Sequence, residues 1–117
     1  MQRDMDLIRK VLLAMEAGGN FTDLNIEGYD QVQVNYHIWL LRDGGFIEGH
    51  ELPFVAGVPQ GYAVTLRWSG HDFLSAARSE RIWVQVLNKA KTAGVSLTIG
   101  LLKEMLEKTI KGELRLH

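Results

Sequence analysis

One stretch, residues 31–66, constrains the fold more than any other part of the sequence. It begins with apolar residues at the i, i+4, i+7 spacing of one buried helix face: Val34, Ile38 and Leu41. Gly44-Gly45 predicts the end of that helix, because glycine adopts the left-handed conformation that helix ends favour. Residues 46–47 begin a predicted strand, and residues 62–66 return as its partner after a loop that holds both prolines. The stretch therefore predicts a helix that runs directly into a two-stranded hairpin.

The segments before this stretch predict one helix and one short strand. Apolar residues recur with helical spacing over residues 4–17: Met5, Ile8, Leu12 and Met15. Asp4 is the candidate N-cap, because its carboxylate can accept a hydrogen bond from the first turn. Apolar and polar residues then alternate within residues 21–29, which favours a short strand over a single helical turn. Asp30 is the expected N-cap of the central helix.

The segment after the hairpin predicts a run of helices. Ser69 is the expected N-cap of the first, in a pattern close to a capping box. Residues 78–81 are expected to bend or interrupt the helix, after which the helical pattern resumes. Ser96 or Thr98 opens a last helix with a continuous apolar set: Leu101, Leu102, Met105, Leu106 and Ile110.

Three tryptophans are many large rings for a chain of 117 residues. Trp68 and Trp83 are expected to pack the C-terminal helices onto the hairpin. Trp39 lies beside the buried stripe of the central helix, so it needs cover from the C-terminal helices or from a second subunit. The predicted core joins the helices to the hairpin: Ile8, Leu12, Val34, Ile38, Leu41, Phe46, Leu66, Phe73 and Leu74.

These elements predict an α+β, mainly α fold, in which a helix, a short strand, the central helix and a two-stranded wing precede further helices. A helix that runs straight into a two-stranded wing is typical of a winged-helix-like domain. The chain has 117 residues, of which 46% are hydrophobic, and this is enough for one domain with a real core. We predict a single domain over residues 1–117, with a helical C-terminal extension over about 70–117.

The composition also excludes several classes of protein. The chain has no cysteine, which rules out disulfides, thiolate metal sites and cysteine nucleophiles. Its N-terminus is charged where a signal peptide would be apolar, and no apolar run approaches the roughly 18 residues of a membrane span. We therefore predict a cytoplasmic protein without membrane association. A net charge of −1 and a pI near 6.4 give nucleic-acid binding no support.

Several motifs resemble known families. Residues 34–47 look like the recognition helix and first wing strand of winged-helix repressors of the arsenic-repressor type. Four further motifs resemble a short bacterial and phage family catalogued as domain of unknown function twenty-five-thirteen: residues 3–9, 28–29, 36–37 and 70–74. This resemblance implies a winged-helix-like fold and a prophage or mobile-element origin, with no established activity. Arg67 departs from the family's usual threonine, and Tyr36 replaces the basic residue typical of DNA-binding relatives.

No enzyme is predicted, because the sequence has no phosphate-binding loop, carboxylate pair or activated nucleophile. No cofactor or metal is expected either, since no two histidines have the i, i+4 spacing of metal ligands. His37 is instead expected to be hydrogen-bonded and partly buried. His71 precedes Asp72, but adjacent helix residues point apart, so the carboxylate cannot orient the ring. We expect His71 to hydrogen-bond the hairpin or the first helix.

The leading functional prediction is a regulatory protein that binds double-stranded DNA. The central helix and hairpin offer these candidate contacts: Gln31, Gln33, Asn35, Tyr36, Arg42 and Arg67. Glutamine and asparagine can pair with adenine in the major groove, and tyrosine and arginine can reach phosphate. Asp30 and Asp43 would repel phosphate at the helix ends, and polar residues are equally ordinary on a solvated helix. The alternative is a protein–protein interaction module on the same scaffold without DNA binding. A homodimer through the last helix is also predicted.

Overall fold

The structure is a computed structural model that describes residues 2–18, 24–51 and 62–115. Five helices and two strands follow one another in these residues: α1 (Met5–Glu16), α2 (Gln31–Asp43), β1 (Ile47–Glu51), β2 (Tyr62–Leu66), α3 (Trp68–Ala77), α4 (Glu80–Thr92) and α5 (Ile99–Arg115). The predicted α+β, mainly α class is confirmed. The arrangement is consistent with a winged-helix-like fold, in which β1 and β2 form the wing.

The residues at the two ends of α1 explain where this helix begins and ends. The side chain of Asp4 accepts a hydrogen bond from the Leu7 backbone at 3.2 Å, which satisfies a donor of the first turn. Gly18, just past the end, takes a left-handed φ of 99°. One face of the helix is buried: Leu7, Ile8, Val11, Leu12 and Met15. The helix predicted over residues 4–17 is therefore confirmed to within one residue at each end.

Helix α2 and the hairpin also follow the sequence. Asp30 and Gln33 form a complete capping box at the start of α2, and Gly45 turns the chain into β1 with a φ of 78°. The strands pair antiparallel, with Ile47 opposite Leu66. Helix α1 packs on α2 and on β2, which ties the wing to the helical part of the fold.

The short strand predicted within residues 21–29 is wrong where the structure describes it. Leu24 and Ile26 are buried, as the alternating pattern requires, but residues 24–26 have no strand pairing. A turn follows, in which the Tyr29 backbone donates to the Ile26 carbonyl at 3.2 Å. In the described residues β1 and β2 pair only with each other. The alternating pattern therefore buries the side chains of Leu24 and Ile26, but the backbone around them has no described strand to pair with. Residues 21–23 lie outside the described residues.

The start of α3 differs from the prediction. The helix begins at Trp68, and Ser69 lies inside its first turn instead of capping it. The hydroxyl of Ser69 donates to the Gly45 carbonyl at 2.8 Å, so it joins the helix to the corner before β1. The predicted N-cap is therefore wrong, because the hydroxyl has a tertiary acceptor instead of a donor in its own helix.

The chain divides into two compact units, residues 1–71 and 72–117, and the division falls within α3. In the second unit α4 packs on α5. Ser79 and Thr98 accept hydrogen bonds from the first turns of these two helices, at 3.3 and 3.1 Å. Phe73 and Trp83 meet edge to face at 6.2 Å. The break predicted near residues 78–81 and the Thr98 cap are confirmed, whereas the single domain remains a prediction.

Seven of the nine predicted core residues are buried, and the exceptions are Phe46 and Leu66. Both exceptions are half-buried. They lie at the base of the hairpin, Phe46 just before β1 begins and Leu66 where β2 ends. Burial also extends to residues that the prediction omitted, among them Leu7, Val11 and Ile47.

Candidate functional site

The outward surface of α2 carries an apolar stripe. The helix buries Val34, His37, Ile38 and Leu41 on its inner face. A second set at i, i+4, i+7 lies on the opposite side, and we call it the outer stripe: Val32, Tyr36 and Trp39. Val32 is 65% exposed and Trp39 is 55% exposed. Large apolar side chains normally face a core, so this second stripe marks α2 as a candidate binding surface.

The rings of the outer stripe are ordered by contacts within α2. Tyr36 and Trp39 stack with their centroids 6.3 Å apart and their planes 21° from parallel. Tyr36 also meets the ring of His37 edge to face, at 5.4 Å. Contacts of this kind limit the rotamers of both outer rings before any partner arrives.

His37 fixes α2 against the start of α1. Its Nδ1 donates to the Gln33 carbonyl at 2.7 Å, and its Nε2 accepts from the Asp4 backbone at 2.8 Å. The ring is almost completely buried. The predicted hydrogen-bonded histidine is confirmed, and both ring nitrogens are used in holding two helices together. No group of three or more histidine, aspartate or glutamate residues within the described residues could hold a metal ion.

Tyr29 extends the same network. Burial, and then the charge and hydrogen bond of the Asp4 carboxylate, raise the pKa of the Tyr29 hydroxyl, with a smaller contribution from Asp6. The Nζ of Lys10 lies 5.4 Å from the centre of the Tyr29 ring. The motifs at residues 3–9, 28–29 and 36–37 therefore meet around Asp4. Their role in this network is structural: they join α1, the turn before α2 and α2 itself.

The structure places three of the predicted nucleic-acid contacts on one flank of α2: Gln31, Asn35 and Arg42. All three are exposed, and Nε2 of Gln31 donates to Oδ1 of Asn35 at 2.8 Å. Gln33 lies on the other flank, where its Oε1 accepts from the Asp30 backbone at 3.0 Å. Gln33 and Asn35 therefore point to different sides of the helix, and Tyr36 belongs to the outer stripe between them.

Arg67, the sixth predicted contact, lies away from α2 along the chain, at the base of the hairpin. Its backbone donates to the Phe46 carbonyl at 2.9 Å, and its side chain is exposed. Trp68 beside it is 86% exposed, so the prediction that its ring is a packing residue is wrong. His71 is exposed too and makes no side-chain hydrogen bond to any described residue, against the prediction.

Charge is distributed unevenly along the chain. Residues 1–71 hold five lysines and arginines and nine aspartates and glutamates, a formal net charge of −4. Residues 72–117 hold eight basic and five acidic residues, a net charge of +3. The unit that contains α2 and the wing is therefore acidic. Phosphate is repelled by such a unit, whereas basic groups are attracted to it.

Comparison with known proteins gives a family but no activity. Residues 2–96 match the family described as hypothetical protein (DUF2513). An uncharacterised protein of Haemophilus influenzae is 28% identical over 120 residues, which cover 94% of this chain and 96% of that protein. No solved structure matches the chain. Within the described residues, no helix combines the length and the apolar character needed to cross a membrane.

Proposed function

The chain belongs to the hypothetical-protein family DUF2513, as its motifs indicated, and we propose that it is a binding module whose outer stripe docks a partner protein. The observation that carries this proposal is the position of Val32, Tyr36 and Trp39 on the solvent side of α2, opposite its buried face. The partner contributes a segment that is both apolar and basic.

The residue types on this surface are those that dominate binding energy at protein interfaces. Tryptophan, tyrosine and arginine are enriched among interface hot spots. Here Tyr36, Trp39 and Arg42 follow one another at intervals of three residues along α2. The contact between the rings of Tyr36 and Trp39 restricts both side chains before binding, so less side-chain freedom is lost when a partner docks.

Charge determines the chemistry of the partner. The carboxylates of Asp30 and Asp43 stand at the two ends of α2, and residues 1–71 carry a net charge of −4. A partner helix that lays apolar side chains on the outer stripe gains further attraction from lysines or arginines directed at these carboxylates. We therefore propose a basic amphipathic segment as the occupant.

Double-stranded DNA is the second candidate, because Gln31, Asn35 and Arg42 share one exposed flank of α2. Most DNA affinity comes from cations that displace counterions, and α2 supplies one arginine and no lysine. A duplex must also approach the acidic half of the chain. These charges favour a protein partner over a duplex, and a regulatory role in a prophage or mobile element remains a prediction.

Site-specific photo-cross-linking tests the proposal in the cells that naturally make the protein. A benzophenone amino acid replaces Val32, at the end of the outer stripe, and the matched control carries it at Val84, an exposed valine of α4. We expect Val32, and not Val84, to cross-link to a defined protein segment rich in basic and apolar residues. The cross-link should disappear when Trp39→Ala is added.

Three outcomes contradict the proposal: cross-linking only to nucleic acid, cross-linking only to a second copy of the chain, or equal yields at both positions. A gel-shift assay with a duplex at about 50 mM salt, where non-specific binding is strong, tests DNA separately. A shift that Arg42→Gln weakens and Trp39→Ala leaves unchanged would favour the DNA candidate.

A further inference from the structure

We propose that a second site, independent of the outer stripe, binds a small planar aromatic anion at the base of the hairpin. The site is a cleft of about 740 Å³, and we call it the corner cleft. The described residues that line it are Glu48, Leu66, Arg67, Trp68, Ser69 and His71. All six belong to the unit of residues 1–71. A volume of a few hundred cubic ångströms is typical of small-molecule sites.

The exposed ring of Trp68 stands on a fixed backbone. The Arg67 backbone donates to the Phe46 carbonyl at 2.9 Å, and the Ser69 hydroxyl donates to the Gly45 carbonyl at 2.8 Å. These two bonds flank Trp68 on both sides in the sequence. A tryptophan that is 86% exposed at a well-anchored position offers its indole face to a planar ring.

The charged groups of the cleft define the rest of the ligand. Arg67 is exposed, and its guanidinium makes no hydrogen bond or salt bridge with any described residue. His71 lines the same cleft and can supply a second donor, and the acidic residue Glu48 lines it as well. A ligand anion should therefore meet Arg67 and His71 and avoid Glu48. Arginine binds both carboxylate and phosphate through paired N–H groups.

The ligand class is thus a ring that stacks on Trp68 and carries one anionic group within reach of Arg67. Leu66 lines the same cleft, is half-buried, and supplies apolar surface for the ring of the ligand. A mononucleotide and an aromatic carboxylate share this chemistry. A neutral ring lacks the anionic group for Arg67, and a bare anion lacks the ring that stacks on Trp68. Neither should therefore bind the corner cleft as tightly as a ligand that has both.

The indole N–H signals of the three tryptophans, observed by NMR in the 117-residue chain, provide the test. AMP and benzoate are the ring-anion probes, and adenosine and inorganic phosphate each lack one half of the chemistry. We expect AMP, benzoate or both to shift the Trp68 signal, while the Trp39 signal stays in place. The signal of the buried Trp83 should stay in place as well, which would show that the fold is intact.

Two variants assign the binding to the cleft. Arg67→Gln should weaken binding of the active probe about tenfold or more, which corresponds to about 1.4 kcal/mol, and should leave adenosine unaffected. Val84→Ala, at an exposed valine of α4 outside both proposed sites, is the control and should leave the affinity for the active probe unchanged. The proposal is overturned if neither probe moves the Trp68 signal at millimolar concentration. It is also overturned if Arg67→Gln binds the active probe as tightly as the wild type does, or if inorganic phosphate alone binds as well as the active probe. None of these results depends on the outer stripe.

Discussion

Replacing Gly70 by alanine should destabilise the protein, although alanine is the better helix former. A Cβ at this position would collide with the carbonyl oxygen of Phe46 and would lie 3.3 Å from Cδ2 of Leu66. The Phe46 carbonyl cannot yield freely, because it accepts the 2.9 Å hydrogen bond from the Arg67 backbone. The start of α3 would have to move away from the hairpin corner.

The expected size follows from three contributions. Overpacking at a tight site costs about 1–3 kcal/mol, and a weakened hydrogen bond costs about 1 kcal/mol. The helix propensity of alanine over glycine returns about 0.5–1 kcal/mol. Gly70→Ala should therefore lower the free energy of unfolding by about 2 kcal/mol.

Urea unfolding of matched glycine variants measures this effect. Gly112 lies in α5, and a Cβ added there would have nothing within 4 Å, so Gly112→Ala should raise stability by about 0.5–1 kcal/mol. The two substitutions are chemically identical, and we expect changes of opposite sign. If Gly70→Ala is as stable as the wild type, the close approach of α3 to Phe46 does not constrain this position.

Three further predictions concern the Asp4 network and α5. His37→Ala should lower the free energy of unfolding by about 1–3 kcal/mol in urea melts, because it leaves the Asp4 N–H without its acceptor. The raised pKa of Tyr29 stabilises the fold below the unfolded value of about 10, and this stabilisation is lost as pH rises through the folded pKa. As the pH is raised above about 10, the free energy of unfolding of Tyr29→Phe should therefore fall less than that of the wild type, as measured in melts. If the chain forms a homodimer through α5, light scattering should give twice the mass of one chain. The mass of a monomer would exclude the dimer.

The helices and the hairpin could be predicted from local features of the sequence. Periodic apolar residues set the buried faces of α1 and α2, and Asp4, Asp30 and Gly45 mark helix ends by their own backbone or hydrogen-bonding preferences. Each of these signals acts over a few residues, so the sequence contains it in full.

The wrong predictions concern contacts, or the absence of contacts, between residues that are distant in the sequence. Ser69 has a cap-like position in the sequence, but its acceptor is the carbonyl of Gly45, 24 residues earlier. Residues 24–26 alternate like a strand, yet no described strand lies beside them. Tryptophan is a residue type that is often buried, so the sequence suggested a packing role for Trp68. Its exposure at the base of the hairpin is visible only in the folded structure.

The candidate site is partly visible in the sequence. Trp39 lies beside the buried stripe in the helical pattern, and Val32, Tyr36 and Trp39 repeat at i, i+4, i+7. Two apolar stripes are therefore present on one helix, but periodicity does not show whether other elements cover the second. The prediction of base contacts requires a free Gln33 side chain, whereas its Oε1 is bonded within the capping box.

The most direct test of the outer stripe is the affinity of its partner segment. The segment identified by cross-linking at Val32 would be synthesised and titrated calorimetrically into the wild type, Trp39→Ala and Trp68→Ala. The substituted side chains are the same, and both are exposed on the protein surface. We predict that Trp39→Ala raises the Kd at least tenfold, about 1.4 kcal/mol, and that Trp68→Ala leaves it unchanged. Equal affinities for all three proteins, or a loss confined to Trp68→Ala, would contradict docking on α2.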